Sequence, residues 1–195
     1  MTPPSPSSKK RLVIGITGAS GVIYGLETLK VLKHLGYETH VVLTRAAETT
    51  LRIETPHTRK TISDLATVLY DETDIAAPIA SGSFQTAGMI VIPCSIKTLS
   101  AISHSFNANL LVRAADVTLK ERRPLVLVVR ETPLHQGHLS LMVTAAQLGA
   151  TILPPVPAFY HQPQTILDLI HQSIGKVLDC FDIEHNLFRR WGESE

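Results

Sequence analysis

Residues 11–25, RLVIGITGASGVIYG, decide how this chain is to be read. Leu12-Val13-Ile14 enters a turn of small residues from Gly15 to Gly21, and a helix-like apolar pattern follows from Val22. Strand, small-residue turn and helix in that order open an α/β unit, and an apolar run without alternation suits a strand covered on both faces. Lys9-Lys10-Arg11 before it gives the stretch a superficial likeness to a secretory leader. Gly15 and Gly18 interrupt the apolar run and favour a buried strand instead.

Outward from this unit, apolar β-branched runs alternate with amphipathic ones. Strands are expected at Arg11–Thr17, Glu38–Thr44, Gly88–Pro93, Pro124–Arg130 and Ala150–Leu153. Helices are expected at Val22–Leu35, Arg45–Ile53, Ile62–Leu69, Ile96–Ser103, Asn109–Arg122, Gly137–Leu148 and Gln164–Cys180. That alternation implies an α/β, Rossmann-like or flavodoxin-like three-layer fold with a parallel sheet and right-handed crossovers. Residues 1–10 are expected to form a disordered Pro/Ser tail, and residues 11–195 a single domain.

The charge pattern adds a constraint. Only 18% of the 195 residues are charged, with net charge +1, against about 25% in ordinary soluble domains. Lys97 is the only formal charge from Ile75 to Val112, and Thr132–Leu167 carries none. Near-neutrality gives no footprint for nucleic acid, and the prolines of Leu139–Phe159 argue against a membrane span. Uncharged surface is therefore expected in an oligomer interface or a pocket. Two cysteines, Cys94 and Cys180, make no disulfide framework and point to a reducing, cytoplasmic setting.

In a parallel sheet, ligands bind beyond the carboxyl ends of the strands. After the first strand, Gly18-Ala19-Ser20-Gly21 opens directly into a helix, where backbone N–H groups and the helix dipole favour a phosphate. The spacing is not that of the dinucleotide motif. Thr44-Arg45 stands where an NAD site would place an acid, so a mononucleotide fits at least as well. Cys94-Ser95-Ile96-Lys97-Thr98 repeats the strand-to-helix opening, and Ser81-Gly82-Ser83 is expected to line the same cleft. Arg113, Asp116 and Lys120 share one helix stripe, whereas Glu121, Arg122 and Arg123 read as a solvated face. Arg130-Glu131 ends a buried strand, where an anion clamp beside a general acid or base gives both residues a purpose. His135 and His138 lack a third partner for a metal. Trp191 is expected to dock against its own subunit or a neighbour.

Taken in order, GITGASGVIYG, ETPHT, SGSFQT, PCSIKTLS, RAADVTLKERRPLVLVVRETP and PAFYHQPQ resemble the UbiX-type flavin prenyltransferases, from about Arg11 to Trp191. These were once described as decarboxylases of the ubiquinone pathway. The resemblance implies metal-independent transfer of a dimethylallyl group from dimethylallyl phosphate to N5 and C6 of reduced FMN. It also implies a homo-oligomer, typically a dodecamer, whose prenylated FMN serves a UbiD-type decarboxylase. It assigns FMN binding to Gly18, Ala19, Ser20, Thr44, Ser95, Ile96, Lys97, Thr98, Arg113 and Arg130. It assigns catalysis to Ser20, Glu54, Lys120 and Glu131, and substrate binding to Ser81, Lys120, Tyr160, Lys176 and Trp191. Many relatives carry arginine at the position of Lys176, which keeps the charge and loses the bidentate fork. Two rivals share the fold logic. FMN-dependent cysteine decarboxylases carry a PASANT motif where this chain has Pro93-Cys94-Ser95-Ile96-Lys97-Thr98. A flavin carrier would need neither Glu131 nor Lys120.

Overall fold

The structure, a computed structural model, describes residues 10–192. Six parallel strands, β1 (Arg11–Ile16), β2 (Glu38–Leu43), β3 (Val68–Tyr70), β4 (Gly88–Cys94), β5 (Leu125–Val129) and β6 (Thr151–Ile152), form one sheet. Their order is β3-β2-β1-β4-β5-β6, the doubly wound order whose direction reverses between β1 and β4. Without the three-residue edge strand β3, the remaining five follow the flavodoxin order. The expected tail falls outside the described residues except for Lys10.

Seven helices cover the two faces: α1 (Val22–His34), α2 (Arg45–Glu54), α3 (Arg59–Leu65), α4 (Ile96–Ser103), α5 (Leu110–Lys120), α6 (Gln136–Gln147) and α7 (Ile166–Asp179). Strand alternation sorts the core. Leu12, Ile14 and Ile16 pack with Ile90, Ile92, Val126 and Val128 under α1, α2, α3 and α7. Val13, Met89, Val91, Leu125 and Leu127 face α4, α5 and α6. Every residue of β4 and β5 is buried, as two-sided coverage requires.

The sequence reading errs at one element. The helix expected over Ile62–Leu69 runs from Arg59 to Leu65, opened by a Thr58–Thr61 capping box. Val68-Leu69-Tyr70 then pairs with His40-Val41-Val42 as β3. Alternating β-branched and aromatic residues favour the strand once an open edge is available.

The uncharged α6 buries only Ala145 fully. Leu139 and Val143 on it, and Leu134 and Leu148 beside it, remain exposed. Among the described residues no helix is long and apolar enough to cross a membrane.

Candidate active site

The topological switch point is built by local sequence. Thr17, just past β1, is buried; its hydroxyl donates to the Pro93 carbonyl at 2.7 Å and accepts the Ser95 N–H at 2.8 Å. One side chain thus ties the carboxyl ends of β1 and β4 together. Gly18 follows, pressed so closely on α2 that a Cβ there would lie 2.5 Å from the Ala46 Cβ. The Thr50 hydroxyl donates to the Gly18 carbonyl at 3.1 Å, fixing the loop from the same helix. Gly21 adopts φ 95°, left-handed geometry that glycine enters without penalty, and starts α1.

Two further helices open into the same space. Thr44 caps α2 by accepting the Ala47 N–H at 3.1 Å, and Ser95 caps α4 by accepting the Thr98 N–H at 3.3 Å. Helix geometry leaves the first-turn N–H groups of Ile96 and Lys97 for a ligand. Thr17, Gly18, Thr44, Arg45, Ala46, Glu72, Ser95, Lys97, Thr98 and Asn109 line a cavity of about 190 Å³. A neighbouring hollow of about 270 Å³ shares Arg45, Glu72, Lys97, Thr98 and Asn109. Of the expected set, Gly18, Thr44, Ser95, Lys97 and Thr98 line this cavity, and Ala19, Ser20 and Ile96 do not.

Acids modify the picture at two helix ends. The Glu54 carboxylate accepts the Gly21 N–H at 2.8 Å and the Val22 N–H at 3.1 Å. The opening of α1, expected to hold a phosphate, is thus capped from within the protein, whereas the Ile96 and Lys97 N–H groups at the opening of α4 have no such carboxylate among the described residues. Glu72, which the sequence did not single out, accepts the Arg45 N–H at 3.0 Å and the Asn109 amide at 3.1 Å. Neither Thr17 nor Glu72 belongs to a spacing motif; each acts on a partner far away in the chain.

Arg130 and Glu131 leave β5 at the same edge of the sheet. The Arg130 N–H donates to the Cys94 carbonyl at 3.0 Å, and both side chains are exposed. Burial pushes the Tyr24 hydroxyl pKa up, opposed by a hydrogen bond with Ser173 and by the nearby Arg130 charge. Tyr24 therefore lies within electrostatic reach of Arg130, a relation the sequence did not suggest.

The remaining expected residues form two groups that the single chain does not bring to this cleft. Arg113 pairs with Asp116 at 3.1 Å and donates to the Ala80 carbonyl at 3.1 Å. Lys120 ends α5 and pairs with Glu121, beside Ser81-Gly82-Ser83. Arg123 is no bare solvated residue, since it donates to the carbonyls of Gly82 at 2.7 Å and Phe84 at 2.8 Å. This loop leads into the start of β4, and Arg123 precedes β5, so the group lies toward the amino-terminal edge of the sheet. The expectation that Ser81 lines its own chain's flavin cleft is corrected accordingly.

The third group gathers Tyr160, Lys176 and Trp191. Trp191 meets Tyr160 edge-on with ring centroids 5.5 Å apart, while remaining 82% exposed. Neighbouring Arg190 donates to Asp179 at 2.7 Å, and Lys176 binds the same carboxylate at 3.2 Å. A hollow of about 800 Å³ beside Arg190, at the far end of α1, includes no residue of the Gly18–Ser20 or Ser95–Thr98 loops. Among the described residues no group of three or more His, Cys, Asp or Glu is placed to hold a metal.

Comparison with known proteins agrees with this geometry. The Flavoprotein family model matches residues 1–175. Flavin prenyltransferase UbiX of Salmonella typhimurium is 59% identical over 185 residues, covering 93% of this chain and 98% of its own. The crystal structure of AnUbiX (PadA1) in complex with FMN and dimethylallyl pyrophosphate superposes with TM-score 0.93 at 48% identity, covering 95% of this chain and 99% of that one. A dodecameric FMN-dependent Ubix-like decarboxylase from Escherichia coli O157:H7 superposes with TM-score 0.91 at 45% identity, covering 94% and 100%. The switch-point cradle and these near full-length matches agree, and the chain belongs to the flavin prenyltransferases of the Flavoprotein family.

Proposed function

We propose that this chain transfers a dimethylallyl group from dimethylallyl phosphate to reduced FMN, within a homo-oligomer. The cradle at the switch point carries the reading. It offers what a flavin mononucleotide phosphate requires: backbone N–H groups, the amino-terminal end of α4, and the hydroxyls of Thr44, Ser95 and Thr98. The cavity of about 190 Å³ is smaller than the roughly 300 Å³ at the low end for whole organic ligands. It would hold one end of the mononucleotide, and Ser20, Arg130 and Glu131 are the residues proposed to meet the rest of it.

When bound, reduced FMN supplies the nucleophilic ring positions that receive the allylic carbon. The protein's work is electrostatic. Breaking the allylic C–O bond leaves new negative charge on phosphate, and Lys120, Lys176 and the Tyr160 hydroxyl would hold that charge. In this reading Glu131 and Glu54 would accept the proton that the ring gives up, Glu54 while also capping α1 through the Gly21 and Val22 N–H groups. Trp191 and Tyr160 provide aromatic faces that shield and stabilise the electron-poor carbon fragment.

The Ser81–Lys120 group and the Tyr160–Lys176–Trp191 group lie apart from the cradle within one chain. In this reading, neighbouring protomers bring them to it, docked through uncharged surfaces such as α6. The E. coli relative is dodecameric, and we propose the same assembly here. The prenylated FMN would leave for a UbiD-type decarboxylase, and the two free cysteines suit the reducing, cytoplasmic setting proposed for the chain. Incubating purified protein with reduced FMN and dimethylallyl phosphate should yield a flavin heavier by one five-carbon prenyl unit. Protein that binds FMN and gives no such product would sink the reading.

A further inference from the structure

Away from the switch point, a half-buried polar cluster surrounds the buried His40 where β1 and β2 begin. Arg11 and Glu38 are register partners, and Arg11 Nε donates to Glu38 Oε1 at 2.8 Å. His40 lies two residues along the same strand face and is only 4% exposed. Its Nε2 is 2.8 Å from Glu38 Oε1, and its Nδ1 is 2.8 Å from the Tyr70 hydroxyl. Both ring nitrogens are thus satisfied, as a buried imidazole requires. Phe84 meets the His40 ring edge-on at 4.9 Å, and the Arg11 guanidinium stacks over Phe84 at 4.5 Å. Arg11 Nη1 also donates to the Gln85 carbonyl at 3.2 Å.

This cluster grips one end of the segment that carries Ser81, Gly82 and Ser83. Arg123 grips it from the other side, through the Gly82 and Phe84 carbonyls. Within the loop, the Ser81 and Ser83 hydroxyls are 2.9 Å apart. The Glu121 carboxylate, paired with the Lys120 ammonium, rests against Gly82, and an added Cβ there would lie 2.7 Å from Lys120 Nζ. Moving the segment therefore moves the surface that limits where Lys120 can point.

We infer that Glu38, His40 and Tyr70, with Arg11 and Phe84, form a latch that sets the Ser81–Ser83 loop and through it Lys120, making His40 a positioning residue for the prenyl phosphate. The inference rests on the prenyl-transfer reading, in which Lys120 meets that phosphate. No latch residue lines the flavin cavity, so flavin affinity and donor affinity should separate when the latch is broken.

The test compares folded wild type, Tyr70→Phe, His40→Gln and His40→Val by steady-state prenyl transfer and by FMN titration. His40→Val should raise KM for dimethylallyl phosphate about tenfold, the equivalent of one misplaced charge-assisted hydrogen bond. Its kcat and FMN Kd should change by less than about twofold. Glutamine retains a donor for Glu38 and an acceptor for Tyr70, so His40→Gln should restore most of the loss. Tyr70→Phe removes a single hydroxyl and should raise KM by about two- to threefold; it carries the test if His40→Val does not fold. An unchanged KM in the folded variants, or KM and FMN Kd rising together, would overturn the inference. If wild type binds FMN but transfers no prenyl group, the parent reading fails instead. The latch is then judged by Lys120 acylation, followed by peptide mass. The rate should differ from wild type in Tyr70→Phe, and an identical rate would overturn it.

Discussion

Replacing Asp179 with asparagine tests whether the corner carrying Lys176 is held electrostatically. Asp179 ends α7 and accepts hydrogen bonds from Arg190 at 2.7 and 3.2 Å, from Lys176 at 3.2 Å and from His185 at 3.2 Å. The Arg190 guanidinium is the strongest of these influences, and together they hold the carboxyl at about 2, below its ordinary 3.8. A carboxylate whose folded-state pKa is depressed adds stability above the unfolded value, and loses it as pH falls through the folded one. A shift of this size corresponds to roughly 2 kcal/mol. Solvent reaches the side chain, which is 22% exposed, and screening reduces the contribution to about 1 kcal/mol. Urea unfolding at fixed protomer concentration, so that oligomerisation does not vary, should show Asp179→Asn less stable than wild type by that amount at pH 7. The gap should shrink as pH drops from about 4 toward 2, with about half of it gone at pH 3. A gap that stays constant from pH 7 to pH 3, or none at pH 7, would refute the electrostatic account.

Four other outcomes follow from the same geometry. Gly18→Val drives a side chain into Ala46 and should weaken FMN binding by at least about tenfold, as read by quenching of flavin fluorescence. Glu54→Ala uncaps α1 at Gly21 and Val22 and should lower unfolding free energy by about 1 kcal/mol in urea melts. Burial pushes the Cys94 thiol up to about 12, so native protein should release at most one thiol per chain to a disulfide reagent, from Cys180; Cys94 should react only after unfolding. Leu139→Glu with Val143→Glu places charge on the apolar exposed face of α6 and should lower the assembled mass seen by light scattering, while the monomer fold persists by circular dichroism.

What the sequence disclosed depended on whether the cause was local. Met89-Ile90-Val91-Ile92 declared a strand buried on both faces because two-sided coverage leaves no polar alternation. Gly18-Ala19-Ser20 and Ser95–Thr98 could be read as ligand loops because each places small or hydroxyl residues between a strand and a helix. Val68–Tyr70 escaped because three residues next to a helical pattern carry too little periodicity, and only pairing with β2 makes them a strand. Glu54 on Gly21, Thr17 on Ser95 and Glu72 on Arg45 span 33, 78 and 27 residues of chain. No spacing rule reaches across such distances. Ser81 was placed at the wrong end of the sheet for the same reason, since its position is set by Arg123 and Arg11 rather than by its neighbours in sequence.

The cations assigned to the prenyl phosphate, Lys120 and Lys176, share one property with Arg113, assigned to FMN, that bears on how such a site operates. Each has a carboxylate nearby: Lys120 with Glu121, Lys176 with Asp179, and Arg113 with Asp116. A protomer that gathered these cations unpaired around a dry cleft would bear their mutual repulsion and desolvation in the absence of substrate. Paired and partly exposed, they cost little in the free chain, and the low charge of Ile75–Val112 and Thr132–Leu167 leaves apolar surface to bring the protomers together. In the proposed reading a phosphate dianion then competes with monoanionic carboxylates for the same donors. It prevails only where two or three protomers present their cations at once. Donor binding should therefore fall with dissociation of the assembly even where each chain keeps its own flavin cradle, so the split Leu139/Val143 variant should lose prenyl transfer before it loses its fold.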